Sequence, residues 1–125
     1  MMDLKDATVL IVDDERDLVE IFRRWFEREG SHVLTAQNGA VALERLAEQR
    51  VHLVVSDARM PVMDGIELAK HIKEECRPLP KVVFVSGYAE LDEDELRELG
   101  IEAILSKPVD RKAILQIARQ SLGDC

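Results

Sequence analysis

The sequence is poor in aromatic residues and cysteine, and it contains no long apolar run. Aromatic residues make up 4% of the 125 residues, so aliphatic side chains must fill any core. The two cysteines, Cys76 and Cys125, have a spacing that predicts neither a disulfide framework nor a zinc site. No segment approaches the roughly 20 apolar residues that cross a bilayer, and the N-terminus lacks the pattern of a signal peptide. We therefore expect a protein of the reducing cytoplasm.

Positive charge is also in deficit. Lys plus Arg number 17 and Asp plus Glu number 25, for a formal net charge of −8. This balance argues against unaided binding to nucleic acid or to an anionic membrane. Hydrophobic residues make up 46% of the chain, which is enough for one compact domain with a real core.

Short apolar runs alternate with segments of helical spacing. The runs at 9–12, 53–55, 82–85 and 103–105 are continuous, as in strands buried on both faces, and a weaker run at 32–36 predicts an edge strand. Helices are predicted at 15–29, 39–49, from 65 after the turn signal Asp64–Gly65, in a short acidic segment before Gly100, and at about 110–122. Five β-α units predict an α/β fold, a single doubly wound parallel sheet of order 2-1-3-4-5 flanked by five helices, as in flavodoxin.

Each predicted helix has an apolar face. The first helix has Leu18, Ile21, Phe22 and Trp25 on one side and ends at Gly30. The second has Ala40, Leu43, Leu46 and Ala47 on one side. Val19 and Phe26 lie off the stripe of the first helix, and Leu115 lies off that of the last, so these three are predicted to be exposed. Such residues either mark contacts with partners or are scattered apolar surface.

The polar residues that could do chemistry follow the predicted strands. Asp13 and Asp14 follow strand 1, Asp57 follows strand 3, Ser86 follows strand 4 and Lys107 follows strand 5. Ligands of such sheets bind at the carboxyl ends of the strands, near the switch between strands 1 and 3. These side chains should therefore converge on one crevice.

Three carboxylates in one crevice repel each other by roughly 3–4 kcal/mol a pair at ~4–5 Å and an effective dielectric near 20. A cation, a bound proton or splayed, solvated side chains would relieve this. Carboxylate oxygens with room for water suit Mg²⁺, and an ammonium and a hydroxyl would complete a site for a phosphoryl group. A carboxylate can itself be the nucleophile, so the pattern indicates phosphate chemistry.

Taken singly, each residue has an ordinary structural interpretation. Asp13 and Asp14 could cap a helix, and Asp57 could be a loop carboxylate. Ser86 could be a turn residue and Lys107 a surface lysine. Their joint placement at strand ends favours the functional interpretation.

In four segments the chain resembles the receiver domain of two-component response regulators. The segments are 11–15 (Ile-Val-Asp-Asp-Glu), 56–65 (Ser-Asp-Ala-Arg-Met-Pro-Val-Met-Asp-Gly), 85–87 (Val-Ser-Gly) and 106–108 (Ser-Lys-Pro). The resemblance covers essentially the whole length and implies a receiver domain over 1–125, with a flexible N-terminus at 1–6 and no output domain within the chain.

The resemblance implies a metal-dependent phosphorylation site. Asp57 matches the aspartate that accepts a phosphoryl group from a histidine kinase or a histidine phosphotransfer protein. Asp14 and Asp57 match direct ligands of Mg²⁺ (or Mn²⁺), Asp13 matches an acidic partner that acts through water, and the backbone carbonyl of Arg59 matches the remaining protein ligand.

Two further residues match the phosphoryl-binding part of the family's site. Lys107 matches the lysine that pairs with the phosphoryl oxygens, and the Lys107–Pro108 bond is expected to be cis. Ser86 matches the hydroxyl residue that moves to the phosphoryl group.

The function implied is a signalling switch that catalyses only its own phosphorylation and dephosphorylation. Phosphorylation would change the surface of helix 4, strand 5 and helix 5 to control a partner protein or a fused output domain, without direct binding to nucleic acid or membrane. The acidic stretch 90–95 is either a solvated helix face or an electrostatic selector of partners on that surface.

One position departs from the family pattern. Many receivers have Tyr or Phe three residues before the lysine, whereas this chain has Ile104. Tyr88 is the only tyrosine and could share the switching role, or its ring could simply pack on the surface. Arg59 and Tyr88 also match positions that tune the lifetime of the phosphoryl group.

Three other functions are compatible with the predicted fold. A Mg²⁺-dependent phosphohydrolase with an Asp nucleophile usually has a second Asp two residues later, where this chain has Arg59. Flavin binding would need a Gly-rich or hydroxyl-rich loop after strand 1, where this chain has Asp-Asp-Glu. An inert interaction domain would not need the complete acidic set with Ser86 and Lys107.

Overall fold

A computed structural model describes residues 2–60, 62–87 and 92–123. Within them, strands and helices alternate as the sequence predicts. The strands are β1 (Thr8–Val12), β2 (His32–Ala36), β3 (Leu53–Asp57), β4 (Lys81–Ser86) and β5 (Ile101–Ser106). The helices are α1 (Arg16–Arg28), α2 (Gly39–Glu48), α3 (Gly65–Glu75), α4 (Glu93–Glu98) and α5 (Arg111–Gly123). None of these described helices has the length and apolar character needed to span a bilayer.

The five strands form one parallel sheet in the order β2-β1-β3-β4-β5, which confirms the predicted topology. In its register, Val12 of β1 lies beside Ser56 of β3, and Ser86 of β4 lies beside Ser106 of β5. The next residues along the chain therefore leave the sheet at the same edge.

Two apolar cores cover the two faces of the sheet. The first joins the sheet to α1 and α5 through Phe22, Phe26, Ile114 and Leu122. The second joins it to α2, α3 and α4, and its largest side chain is Phe84. The central strands β1, β3 and β4 are buried on both faces, which explains their continuous apolar runs.

The buried face of α1 differs from the predicted one on both sides of Phe22. Phe26 is fully buried, Val19 packs against the core, and Ile21, predicted to face inward, is 42% exposed. The helix lies over the sheet and beside α5, so its contact face is centred on Phe22 and Phe26, one turn apart. Gly30 ends the helix in the left-handed region, at φ +89°, as predicted.

Other predictions of exposure and burial are also corrected. Leu115 is buried in the first core, because α5 contacts both the sheet and α1. In α2, Ala42 is buried whereas Ala47 is exposed. β5 is the second edge strand, and its residues alternate between half-buried and exposed instead of being buried throughout. Ile104 is accordingly exposed.

Part of the segment expected to be flexible has regular structure. Leu4–Asp6 form one turn of 3₁₀-helix, and the Leu4 side chain is buried. The Ser31 hydroxyl donates a hydrogen bond of 2.6 Å to the Leu4 carbonyl. These contacts join the chain ahead of β1 to the start of β2.

Candidate functional site

Three carboxylates lie together at the carboxyl edge of the sheet. Asp13 follows β1, Asp14 is the next residue, and Asp57 ends β3 beside it. One oxygen atom from each lies within 4.8 Å of the others. Asp13 and Asp57 are buried and Asp14 is exposed, so the cluster is accessible from one side. The predicted convergence of these three carboxylates is confirmed.

Lys107 brings a positive charge into this cluster. It directly follows β5, and its backbone N–H donates to the Ser86 carbonyl at 2.9 Å. The ammonium nitrogen lies 2.9 Å from Asp57 Oδ2 and 3.2 Å from Asp13 Oδ2. A third carboxylate, from Glu15, accepts from the same ammonium at 3.1 Å.

Burial and charge shift the pKa values of two of these groups in the same direction. Burial raises the pKa of Asp13 and the nearby Asp57 charge adds to this, while a backbone hydrogen bond and Lys107 partly oppose the rise. For Lys107, burial alone would lower the pKa, but hydrogen bonds with Asp57 and Glu15 and the charges of Asp13 and Asp57 together raise it above its ordinary value. The amine is therefore a fixed cation at neutral pH.

Backbone donors orient the two buried carboxylates. Asp13 Oδ1 accepts from the Glu15 N–H at 2.9 Å, and Asp57 Oδ1 accepts from the Arg59 N–H at 3.1 Å. In each carboxylate the other oxygen, Oδ2, contacts Lys107. Each side chain is thus held at two points.

Gly65 allows α3 to begin close to Asp57. A Cβ atom on Gly65 would lie 2.3 Å from the Asp57 carbonyl oxygen and 3.0 Å from the Ala58 Cα, closer than side chains approach backbone. Its N–H donates to the Ala58 carbonyl at 3.1 Å, and Asp64 caps the helix by accepting from Glu67 N–H. Asp64–Gly65, predicted only as a turn, therefore supports the backbone of the site.

The donor set fits a hard divalent cation. All three cluster residues offer carboxylate oxygens, the ligands that Mg²⁺ prefers, and the exposed Asp14 leaves room for water. Lys107 supplies one positive charge to two of the three, so the cluster still carries net negative charge that a divalent cation would neutralise. Asp13, Asp14 and Asp57 could hold the ion.

The other predicted site residues lie around the cluster. Ser86 is buried at the end of β4, and Ile104 is exposed on β5. The Arg59 backbone is bonded to Asp57, while its guanidinium lies 3.9 Å from Asp64. Tyr88 lies outside the described residues. The Lys107–Pro108 bond is cis, as expected.

Sequence reasoning missed one polar member of the site. Glu15 was part of the Asp-Asp-Glu motif, but no role was predicted for its side chain, which contacts Lys107 from the rim. The signal available was its position directly after two acidic residues at a strand end. That position alone does not predict that the Glu15 side chain extends toward Lys107.

The chain, with this cluster of acids and a lysine at one edge of a doubly wound sheet, is similar to proteins of one known family. A family profile described as "Response regulator receiver domain" matches residues 9–119. The chain is 30% identical over 119 residues to the polar-differentiation response regulator DivK of Brucella anthropi, covering 94% of this chain and 97% of DivK. It is 33% identical over 121 residues to the transcriptional regulatory protein GlrR of Escherichia coli, covering 97% of this chain and 27% of GlrR.

Solved structures show the same fold. A CheY-like receiver domain from Methanospirillum hungatei has a TM-score of 0.86 at 29% identity, with 94% of each chain covered. The chemotaxis response regulator CheY4 of Vibrio cholerae has a TM-score of 0.85 at 25% identity, with 93% of this chain and 98% of CheY4 covered. The chain belongs to the response regulator receiver domain family, and its function is phosphorylation-dependent signalling in a two-component system.

Proposed function

We propose that Asp57 accepts a phosphoryl group from a phosphohistidine donor, a histidine kinase or a histidine phosphotransfer protein, in a Mg²⁺-dependent reaction. The observation that carries this proposal is the Lys107 ammonium, 2.9 Å from Asp57 and 3.2 Å from Asp13. An acceptor carboxylate beside a fixed cation and two further acids is what phosphoryl transfer to aspartate requires.

In this reaction an Asp57 carboxylate oxygen attacks phosphorus, the new O–P bond forms, and the P–N bond to the donor histidine breaks. Bound Mg²⁺, held by Asp13, Asp14, Asp57 and the Arg59 carbonyl, would supply charge neutralisation for the phosphoryl oxygens. Lys107 pairs with the same oxygens, and the Ser86 hydroxyl bonds to them after transfer. The domain catalyses only this reaction and the hydrolysis that reverses its effect.

The consequence for signalling is a change of the surface formed by α4, β5 and α5. The Lys107 N–H donates to the Ser86 carbonyl, which joins the ends of β4 and β5 and so connects the phosphorylation site to that surface. The exposed Ile104 lies on the same surface where many relatives have an aromatic ring. Tyr88 is proposed to share the switching role. The output is a partner protein or an output domain, and the cytoplasmic location remains a prediction.

Intact-mass spectrometry after incubation with acetyl phosphate and Mg²⁺ tests the acceptor. We expect the wild type to gain one phosphoryl group and Asp57→Asn to gain none, because the amide is not a nucleophile. Asp3→Asn is the matched control, since Asp3 is exposed, makes no side-chain capping hydrogen bond and precedes β1, and it should be labelled like the wild type.

Removal of Mg²⁺ with a chelator should abolish labelling of the wild type. Labelling that survives in Asp57→Asn would reassign the acceptor to another carboxylate, of which Asp13 and Asp14 belong to the same cluster. A wild type that takes up no phosphoryl group would identify an inert interaction domain with a receiver fold.

A further inference from the structure

The Lys107 ammonium is fully engaged by carboxylates. It has three N–H donors, and three acceptors contact it: Asp57 at 2.9 Å, Glu15 at 3.1 Å and Asp13 at 3.2 Å. If Lys107 is to pair with phosphoryl oxygens on Asp57, as the proposed function requires, at least one of these bonds must break. The three hydrogen bonds differ in the free energy needed to break them.

The hydrogen bond between Lys107 and Glu15 is the one of the three that breaks at the lowest free-energy cost. Its side chain is 62% exposed, so water can replace Lys107 around it, whereas Asp13 is only 2% exposed. Asp13 is also held by a backbone hydrogen bond, and Asp57 is the proposed acceptor. Glu15 lies outside the three-carboxylate cluster that fits the metal. It therefore competes with the phosphoryl group for Lys107 without contributing to the metal site.

We propose that Glu15 is a positioning residue that occupies one Lys107 donor in the unphosphorylated domain and opposes the arrival of a phosphoryl group on Asp57. The inference rests on the proposed function and deepens it. Glu15 acts in two ways: its carboxylate occupies one N–H donor of the Lys107 ammonium, and its negative charge repels the phosphoryl oxygens that Lys107 attracts. Glu15 thus sets how readily the switch is turned on.

Substitution of the Glu15 side chain should leave the fold intact. Glu15 is the N-cap residue of α1, but its side chain makes no capping hydrogen bond. Its backbone N–H, which orients Asp13, is retained in any variant other than proline. Two variants separate charge from contact: Glu15→Gln removes the charge and keeps an acceptor, and Glu15→Ala removes both.

The experiment measures beryllofluoride binding at saturating Mg²⁺ and the rate of labelling by acetyl phosphate. We expect both variants to bind beryllofluoride about two- to fivefold more tightly than the wild type at low salt, and to be labelled faster by a similar factor. The gain should be larger in Glu15→Ala, which also removes the acceptor for Lys107. The gain should shrink near 1 M salt, where the screening length falls to about 3 Å. Asp17→Asn, an equal charge change at an exposed position in the first turn of α1, should show a smaller gain.

Mg²⁺ affinity, measured by calorimetry without beryllofluoride, separates this role from a structural one. Loss of an anion cannot strengthen cation binding, so we expect the variants to bind Mg²⁺ equally or more weakly than the wild type. Equal or weaker beryllofluoride binding in both variants, with a wild type that is labelled normally, would overturn the role of Glu15 alone. A wild type that neither binds beryllofluoride nor is labelled would overturn the proposed function, and the Glu15 inference with it.

Discussion

Val62 carries a backbone conformation that its side chain disfavours. It lies in the loop between β3 and α3 with φ +71°, and 80% of it is exposed. A β-branched residue in the left-handed region pays a steric cost of order 1–3 kcal/mol, and an exposed side chain recovers little of it by packing. This conformation was not predictable from the sequence, because position 62 has neither the Gly nor the Asn that indicates a left-handed residue.

We expect Val62→Gly to raise the free energy of unfolding by about 0.5–1 kcal/mol, since glycine removes the steric cost but adds backbone entropy to the unfolded chain. Urea unfolding in the absence of Mg²⁺ measures the change. Val62→Ala, which keeps a Cβ atom, serves as the control and should gain less. A Val62→Gly protein no more stable than the wild type would mean that the loop relaxes the conformation by other means.

Within the site, the side-chain positions that the sequence predicts best are those of short residues at strand ends, because the backbone there fixes where the side chain lies. Asp13 and Asp57 extend directly from adjacent strands, and the short Asp side chain leaves little freedom. Lys107 is longer but directly follows β5, which brings it to the same edge, whereas the direction of the long Glu15 side chain is not determined by its position before α1. The Lys107 contact was predicted through its strand end, whereas the Glu15 contact was not.

At the scale of the element, α1 shows how tertiary packing selects a helix face. Periodicity alone allowed a stripe with Ile21 inside or one with Phe26 inside, because both flank Phe22 and Trp25 on the helical surface. The position of α5 beside α1 decided between them, and Phe26 entered the core.

The burial of Phe26 and the exposure of Ile21 can be tested with one pair of alanine variants. We expect Phe26→Ala to lower the free energy of unfolding by about 3–5 kcal/mol, as for other large-to-small core substitutions. Ile21→Ala, on the same helix and 42% exposed, should cost less than about 1 kcal/mol. Chemical denaturation of both variants gives the comparison, and similar losses from the two would contradict the packing of α1 described above.

At the scale of the whole molecule, the pH dependence of stability should include a contribution from His52. The imidazole Nδ1 accepts from the Thr8 N–H at 2.9 Å, which joins the loop before β3 to the start of β1. This bond needs the neutral ring. Burial lowers the His52 pKa below its ordinary value of 6.5, and the Arg50 charge adds to this.

Because the folded-state pKa is lowered, the contribution of His52 is complete above pH 6.5 and is lost as the pH falls through the folded-state pKa. Thermal unfolding between about pH 5 and pH 7.5 should show a steeper acid-side loss of stability in the wild type than in His52→Asn. Asn keeps an acceptor oxygen and does not titrate, so the other histidines act equally in both proteins. Identical slopes would show that the imidazole is not coupled to folding.

The fold as a whole was predictable because its signals are local and repeated. Five apolar runs separated by helical segments allow few arrangements once crossovers are right-handed, and the observed sheet has the predicted order. The strand ends then brought Asp13, Asp57 and Lys107 to one edge without further information.

By itself the sequence determined the parallel sheet, its strand order and the convergence of the acids with a lysine, because chain direction and strand ends constrain these features. Only the tertiary structure decided which helix faces are buried, that β5 is a half-exposed edge, and that Glu15 reaches Lys107. These depend on neighbours distant in the chain: α1 packs beside α5, and Glu15 lies 92 positions from Lys107. The physical reason is that a local pattern limits what a segment can bury, whereas the surfaces packed against it decide what it does bury.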